Sequence, residues 1–173
     1  MFLRVAGTLL IMAGSVGLGM YYAAKESFRV QDLLEFKKAL LILSSEIEYM
    51  RSTLAEACAN IAKRTGLGVA PIFEHFSQLL AGGEGETAYR LWLTAMDAGR
   101  EGIFLAAEDF VVLEDFGKTL GYLDKQMQKN AINYAVSYID EKAAALQAQS
   151  DKNKKMYRSL GAIGGLLITI VFW

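Results

Sequence analysis

The chain has 173 residues, 53% hydrophobic and 21% charged, with basic and acidic side chains nearly balanced at a formal net charge of −1. That balance excludes a nucleic-acid-binding field, the single cysteine (Cys58) excludes an internal disulfide framework, and one proline with no turn-bounded β-rich runs points to helices nearly throughout. With both apolar ends set aside, about 130 residues remain, enough for one domain.

In chain order, the first element is the twenty-residue uncharged stretch Val5 to Ala24. At 1.5 Å per residue it reaches about 30 Å, the thickness of a bilayer core, so residues 1–24 are expected to form an N-terminal transmembrane anchor. A cleaved leader ending at Ala24 would place Tyr22 at −3, a poor fit to the small residues such sites need. At the other end Ser159 to Trp173 is uncharged and follows Lys152, Lys154, Lys155 and Arg158, the pattern of a basic-flanked C-terminal span over 159–173. Of the 18 Lys and Arg residues, 17 lie between positions 25 and 158, so the positive-inside rule assigns the intervening domain to the cytoplasm. Small residues at Ala13 and Gly17, Ser15 and Gly19, and Gly161 and Gly165 are spaced for close helix packing within the bilayer.

The intervening residues 25–158 read as a cytoplasmic helical bundle. Leu33, Phe36, Leu40, Leu43, Ile47, Met50, Leu54, Ala57 and Ile61 recur at 3–4 spacing, and the capping-box pattern of Thr53 and Glu56 predicts two consecutive helices with a bend near Ser52. Pro71 opens a third helix carrying Phe73 and Phe76. The glycines from Gly82 to Gly85 form a loop, and a fourth helix carries Trp92 and Met96. The fifth runs from about Ala106 to Leu120 and stops at Gly121. Asp124 caps a long sixth helix without a breaker to Ser159. Two apolar stripes on the sixth, through Ile132, Val136, Ile139 and Ala143 and through Met127, Tyr134 and Tyr138, predict contacts on two sides. The long helix is expected to pair antiparallel with the Leu33–Ile61 stripe, three short helices capping the end away from the membrane. The fold class is thus all-α, a bundle of about six helices with a transmembrane helix at each terminus.

No constellation for catalysis emerges. His75 stands without the Ser and Asp a triad needs, Cys58 falls on the core stripe, and no Cys-x-x-Cys or Glu-x-x-His spacing suggests a metal, so neither enzyme activity nor a cofactor is expected. The carboxylate pairs Glu46/Glu48 and Glu108/Asp109 read as solvated helix faces.

The segments Leu43 to Tyr49 with Glu46, Thr53-Leu54-Ala55-Glu56-Ala57, Phe116-Gly117 through Leu120-Gly121 and Asp124 to Gln128, and Lys155-Met156-Tyr157-Arg158-Ser159-Leu160-Gly161 together resemble the stage III sporulation protein AB family. Leu54 departs from that pattern, standing where proline is usual. The resemblance implies a structural component of the sporulation channel complex in the mother-cell membrane surrounding the forespore. Its cytoplasmic bundle would be similar to the inner-membrane platform proteins of type II secretion and type IV pilus machines. By that analogy its partners are the companion ATPase, stage III sporulation protein AA, other membrane components of the complex, and lipid, but no nucleic acid. A membrane-bound helical sensor is the alternative. On the platform reading, Glu84, Glu86, Asp97 and Glu101 are candidates to meet basic residues of a partner, while Gly117, Gly121 and Asp124 fit a tight helix turn.

Overall fold

The computed structural model describes the backbone of residues 2–49, 52–66, 68–83, 85–121 and 124–172, and the side chains of 25–48, 52–66, 68–83, 85–121, 124–150 and 152. Among the described residues six α-helices follow one another, α1 (Phe2–Tyr49), α2 (Leu54–Ala62), α3 (Ala70–Gly82), α4 (Ala88–Gly99), α5 (Ala107–Gly117) and α6 (Lys125–Phe172), with one 3₁₀ turn at Arg100–Gly102. Among the described residues there is no strand. Contacts divide the chain into a unit of residues 28–143 and another of residues 1–27 with 144–173. Among the residues searched no helix is long and apolar enough to cross a membrane. Val5–Ala24 and Ser159–Trp173, with the small-residue motifs and the Tyr157-Arg158 segment, lie outside the residues whose side chains are described.

Local chemistry explains each break. Thr53 is the N-cap of α2, its hydroxyl accepting from Glu56 N while Glu56 Oε2 accepts from Thr53 N, so two orphan amides at the helix start are satisfied reciprocally. The start of α2 is thus fixed by Thr53 and Glu56 with leucine at position 54. Pro71 sits in the first turn of α3, where its missing N–H costs nothing, and Gly83 closes that helix at φ +65. Gly121 turns at φ +86, and Asp124 Oδ1 then accepts from Gln126 N and Met127 N to start α6.

Two ion pairs set the direction of α6 against α1 in the 28–143 unit. Lys37 binds Asp140 at 2.5 Å and Lys129 binds Glu48 at 3.0 Å, so a step of eleven residues forward on α1 matches eleven backward on α6. The two helices are antiparallel over about 16 Å. The short helices depart from the expected capping arrangement. They lie beside α1: Phe73 of α3 packs on Phe36, the α2–α3 loop reaches Glu35 through Gly66 N at 2.8 Å, and the α4–α5 loop reaches Asp32 through Phe104 N at 2.7 Å. Nine-residue and twelve-residue helices such as α2 and α4 bury their apolar stripes more fully along a long helix than across its end.

The core forms around Trp92. Its ring meets Phe73 at 5.4 Å, Phe76 edge-on at 5.2 Å and Phe116 edge-on at 5.8 Å, and its indole N–H donates to Leu113 O at 2.9 Å. Gly117 is what admits it. A Cβ there would overlap the indole, so this last residue of α5 serves close helix packing as well as the turn that follows, where its carbonyl accepts from Leu120 N at 3.1 Å. Leu33, Phe36, Leu40 and Leu43 of α1 and Ile132, Ala135, Ile139 and Ala143 of α6 complete the interior. The second stripe on α6 is covered only in part, since Met127 and Tyr134 lie exposed while Tyr138 is half-buried and reaches Asp109 of α5.

Candidate functional site

A charge buried inside the bundle is either a functional device or a structural tie. Arg29 of α1 presents Nε to Asp109 Oδ2 at 2.8 Å and a terminal nitrogen to Oδ1 at 2.9 Å, a bidentate pair. Asp109, at the start of α5, also accepts from Ala106 N at 2.8 Å and from the Tyr138 hydroxyl of α6 at 2.9 Å. All four acceptor positions of a carboxylate that is only 1% exposed are thereby filled. Glu108 extends the network on the solvent side, bridging Arg29 at 2.7 Å and Lys142 at 2.8 Å. Three helices distant in sequence are clasped at one point.

The charges respond as this geometry requires. The hydrogen bond to Asp109 raises the Arg29 pKa, outweighing the opposing effect of burial. The Tyr138 phenol is raised by desolvation and then by its bond to Asp109, so it stays neutral and donating. Hydrogen bonds from Lys142 and Arg29 lower the Glu108 carboxyl. With every acceptor of Asp109 taken, that carboxylate has no lone pair free to attack or to remove a proton, and its role is that of a tie.

Sequence reasoning placed Glu108 and Asp109 on a solvated face, and the structure corrects this for Asp109, which is buried by Arg29 and Tyr138 coming from 80 and 29 positions away. It corrects Glu46 likewise: that residue is 7% exposed and accepts from Ser52 Oγ at 2.8 Å across the α1–α2 break, while Glu48 stays on the surface with Lys129. Asp109 occupies the N3 position of α5, where a carboxylate can reach back to the N-cap amide, and that was the one signal available in the sequence.

The remaining candidates fall as follows. Cys58 is fully buried, and burial pushes its thiol up to about 12, so it is a core residue and not a thiolate. His75 is half-buried on α3. Among the described residues no group of His, Cys, Asp and Glu is arranged to hold a metal ion. Of the four acids considered for a partner, Glu84 lies outside the described residues. Glu86 pairs with Arg90 before α4, whereas Asp97 pairs with Arg100 at the other end of that helix and Glu101 follows in the 3₁₀ turn. About 16 Å of helix separates the two groups, so the described acids form no single cluster. Gln128 Nε2 reaches back to Thr119 O at 3.4 Å, and the side chain of Tyr49 is outside the described residues.

One surface stands out as unfinished. Along α1, Leu34 and Leu41 are 41% and 49% exposed, and with Ile42, Ser45, Lys37, Lys38 and Arg64 they line an open groove of about 440 Å³. Two leucines seven residues apart on one helix face, with three cations beside them, form an amphipathic strip of the kind helices use to bind helices.

Comparison with known proteins decides the family. The profile of stage III sporulation protein AB matches residues 4–173, nearly the whole chain. The chain belongs to the stage III sporulation protein AB family. It is 28% identical over 169 residues to stage III sporulation protein AB of Bacillus subtilis (strain 168), covering 98% of both chains. A solved structure of a stage III sporulation protein AB superposes with a TM-score of 0.66 at 29% identity, over 72% of this chain and 98% of that one. A role in sporulation and an all-helical bundle follow from this membership together with the fold.

Proposed function

We propose that the chain is a non-enzymatic platform in the channel complex between mother cell and forespore, held in the mother-cell membrane by helices at residues 1–24 and 159–173. Its cytoplasmic bundle docks the companion ATPase, stage III sporulation protein AA. The observation that carries this reading is the α1 groove. Leu34 and Leu41 remain open beside Lys37, Lys38 and Arg64, while Leu33, Phe36, Leu40 and Leu43 of the same helix are covered by the chain itself. Exposed leucine in a helical strip costs free energy until a second protein covers it, and although Lys37 and Lys38 are paired with Asp140 and Glu35, Arg64 leaves the groove a surplus of positive charge that favours a partner helix with acidic flanks. The clasp at Asp109 supports the same reading, because a docking platform needs its helices held in fixed positions. The uncharged ends and the basic flank before Ser159 support the anchors.

The test is co-purification of the full-length chain, in lipid nanodiscs, with the ATPase. The unaltered chain retains the ATPase, and the doubly substituted chain Leu34→Glu, Leu41→Glu releases it with an unchanged melting temperature, since both side chains are surface residues. No retention by the unaltered chain would contradict the platform reading. Equal retention by both would move the docking site elsewhere, with the exposed acids Glu86, Asp97 and Glu101 next to be reversed in charge.

A further inference from the structure

The three cations of the α1 groove are not equivalent. Lys37 is paired with Asp140 of α6, and Lys38 with Glu35 one turn back along α1 at 3.4 Å. Arg64 is exposed and, among the described residues, has no ion pair in its own chain. Its neighbour Lys63 lines a different depression, between α2 and α3, together with Glu74. The backbone that carries Arg64 is fixed. Arg64 N and the Thr65 hydroxyl both donate to Ile61 O, at 2.9 and 3.0 Å, and Gly66 N donates to Glu35 Oε2 at 2.8 Å. Gly66 lies so close that a Cβ there would stand 3.3 Å from Glu35 Cγ and Cδ. One carboxylate thus holds the end of α2 against α1 and neutralises Lys38 at the same time.

These contacts decide what can cover the groove. A helix laid over Leu34 and Leu41 takes water away from Arg64, which lines the same groove. A guanidinium that loses water without gaining a partner is costly, and a purely apolar or a basic helix imposes that cost. A carboxylate removes it, because the planar fork of arginine can donate two parallel N–H bonds to one acid. Lys37 and Lys38 already have acids of their own, so a further one gains less there. We propose that Arg64 is the residue by which the groove recognises its partner: the occupant is an amphipathic helix of the docked protein, with one carboxylate for Arg64 beside the apolar side chains that cover Leu34 and Leu41. Glu35 is then a specificity residue, which positions Arg64 through Gly66 and withholds Lys38 from the partner. This rests on the groove being the docking site proposed above.

Affinity for the ATPase, measured with the full-length chain in lipid nanodiscs, tests it. Arg64→Gln is expected to weaken binding about tenfold or more, and Arg64→Lys, which keeps the charge but not the fork, by less. Glu35→Gln keeps an acceptor for Gly66 N while freeing Lys38, and is expected to tighten binding about twofold or more, which a purely structural role for Glu35 would not do. Raising salt to about 0.5 M weakens binding by the unaltered chain more than binding by Arg64→Gln. Binding by Arg64→Gln as tight as by the unaltered chain, while Leu34→Glu, Leu41→Glu does not bind, overturns the inference and leaves the docking site standing. Undiminished binding by the double leucine variant removes the groove as the docking site and the inference with it. Self-association that Arg64→Gln abolishes, with no ATPase bound by the unaltered chain, places a second copy in the groove and also overturns it.

Discussion

Around Trp92, helices α3, α4 and α5 meet through rings, with Phe73, Phe76 and Phe116 at 5.2–5.8 Å and one indole hydrogen bond. Around Asp109, α1, α5 and α6 meet through ions, with Arg29 and Tyr138 both donating to its carboxylate and Arg29 also to Glu108. The first arrangement drives folding, because apolar burial is favourable at almost any angle of approach. The second adds little net stability, because desolvation offsets much of the attraction, but it accepts only one geometry and so fixes where the long helices sit. One region supplies stability and the other supplies position.

That division is sharpest in the pair of substitutions with the largest expected effects. Trp92→Ala and Asp109→Ala should each lower the unfolding free energy by about 3 kcal/mol or more, measured by urea denaturation. They separate on rescue. Replacing Arg29 and Asp109 together by Met and Leu should recover part of the loss, since no ion is then left unpaired and only Ala106 N and the Tyr138 hydroxyl lose their acceptor, whereas no single neighbour can refill the space of the indole. Failure of the double replacement to recover stability would show that the clasp contributes energy as well as position.

Tyr138→Phe should cost about 1.5 kcal/mol by removing one donor to a charged acceptor without changing shape. It also carries a signature in pH. Because the Tyr138 pKa is raised in the folded state, its contribution is complete below the ordinary value of 10 and is lost as pH rises above it. Alkaline unfolding should therefore begin at higher pH in the Phe variant relative to its own midpoint.

Glu108→Gln should be smaller still at neutral pH, as befits a solvent-facing group. Its signature lies on the acid side. The folded-state carboxyl is lowered from its ordinary 4.5, so its contribution is present above that value and disappears as pH falls through the lowered one. The drop in melting temperature from about pH 5 to pH 3 should be shallower in the Gln variant than in the unaltered chain. The smallest effect is a gain. Leu54→Pro places proline at N1 of α2, after a Thr53 already extended at φ −66 and ψ 158, and restricting the unfolded chain there is worth about 0.4–1 kcal/mol before the lost packing of a half-buried leucine is subtracted.

The ring-lined region was legible in the sequence and the clasp was not, for physical reasons. Burial of Leu33, Phe36, Leu40 and Leu43 follows from 3–4 spacing along α1, and the caps at Thr53 and Asp124 follow from residues within three positions of the helix they start. Asp109 is exposed or buried according to an arginine 80 residues earlier, and no local pattern carries that information. Gly117 failed in the same way. A glycine near a helix end reads as a turn, and only the Trp92 ring arriving from α4 reveals a packing role. The antiparallel partner of α6 was foreseen from helix length. The placement of the short helices beside α1 was not, because their apolar stripes specify that they pack without specifying against what. The α1 groove was missed because Leu34 and Leu41 fall off the Leu33–Leu43 stripe and look like scattered surface leucines until Arg64 is brought alongside them.

The claim on which the functional account turns is that the bundle hangs on the cytoplasmic face from two membrane helices. Protease accessibility of residues 28–143 in sealed membrane vesicles of both orientations tests it most directly. The account predicts that the bundle is digested in inverted vesicles and protected in right-side-out ones, with protein retained in the membrane fraction after carbonate washing in both. Digestion in right-side-out vesicles, or release of the chain by the wash, would contradict it.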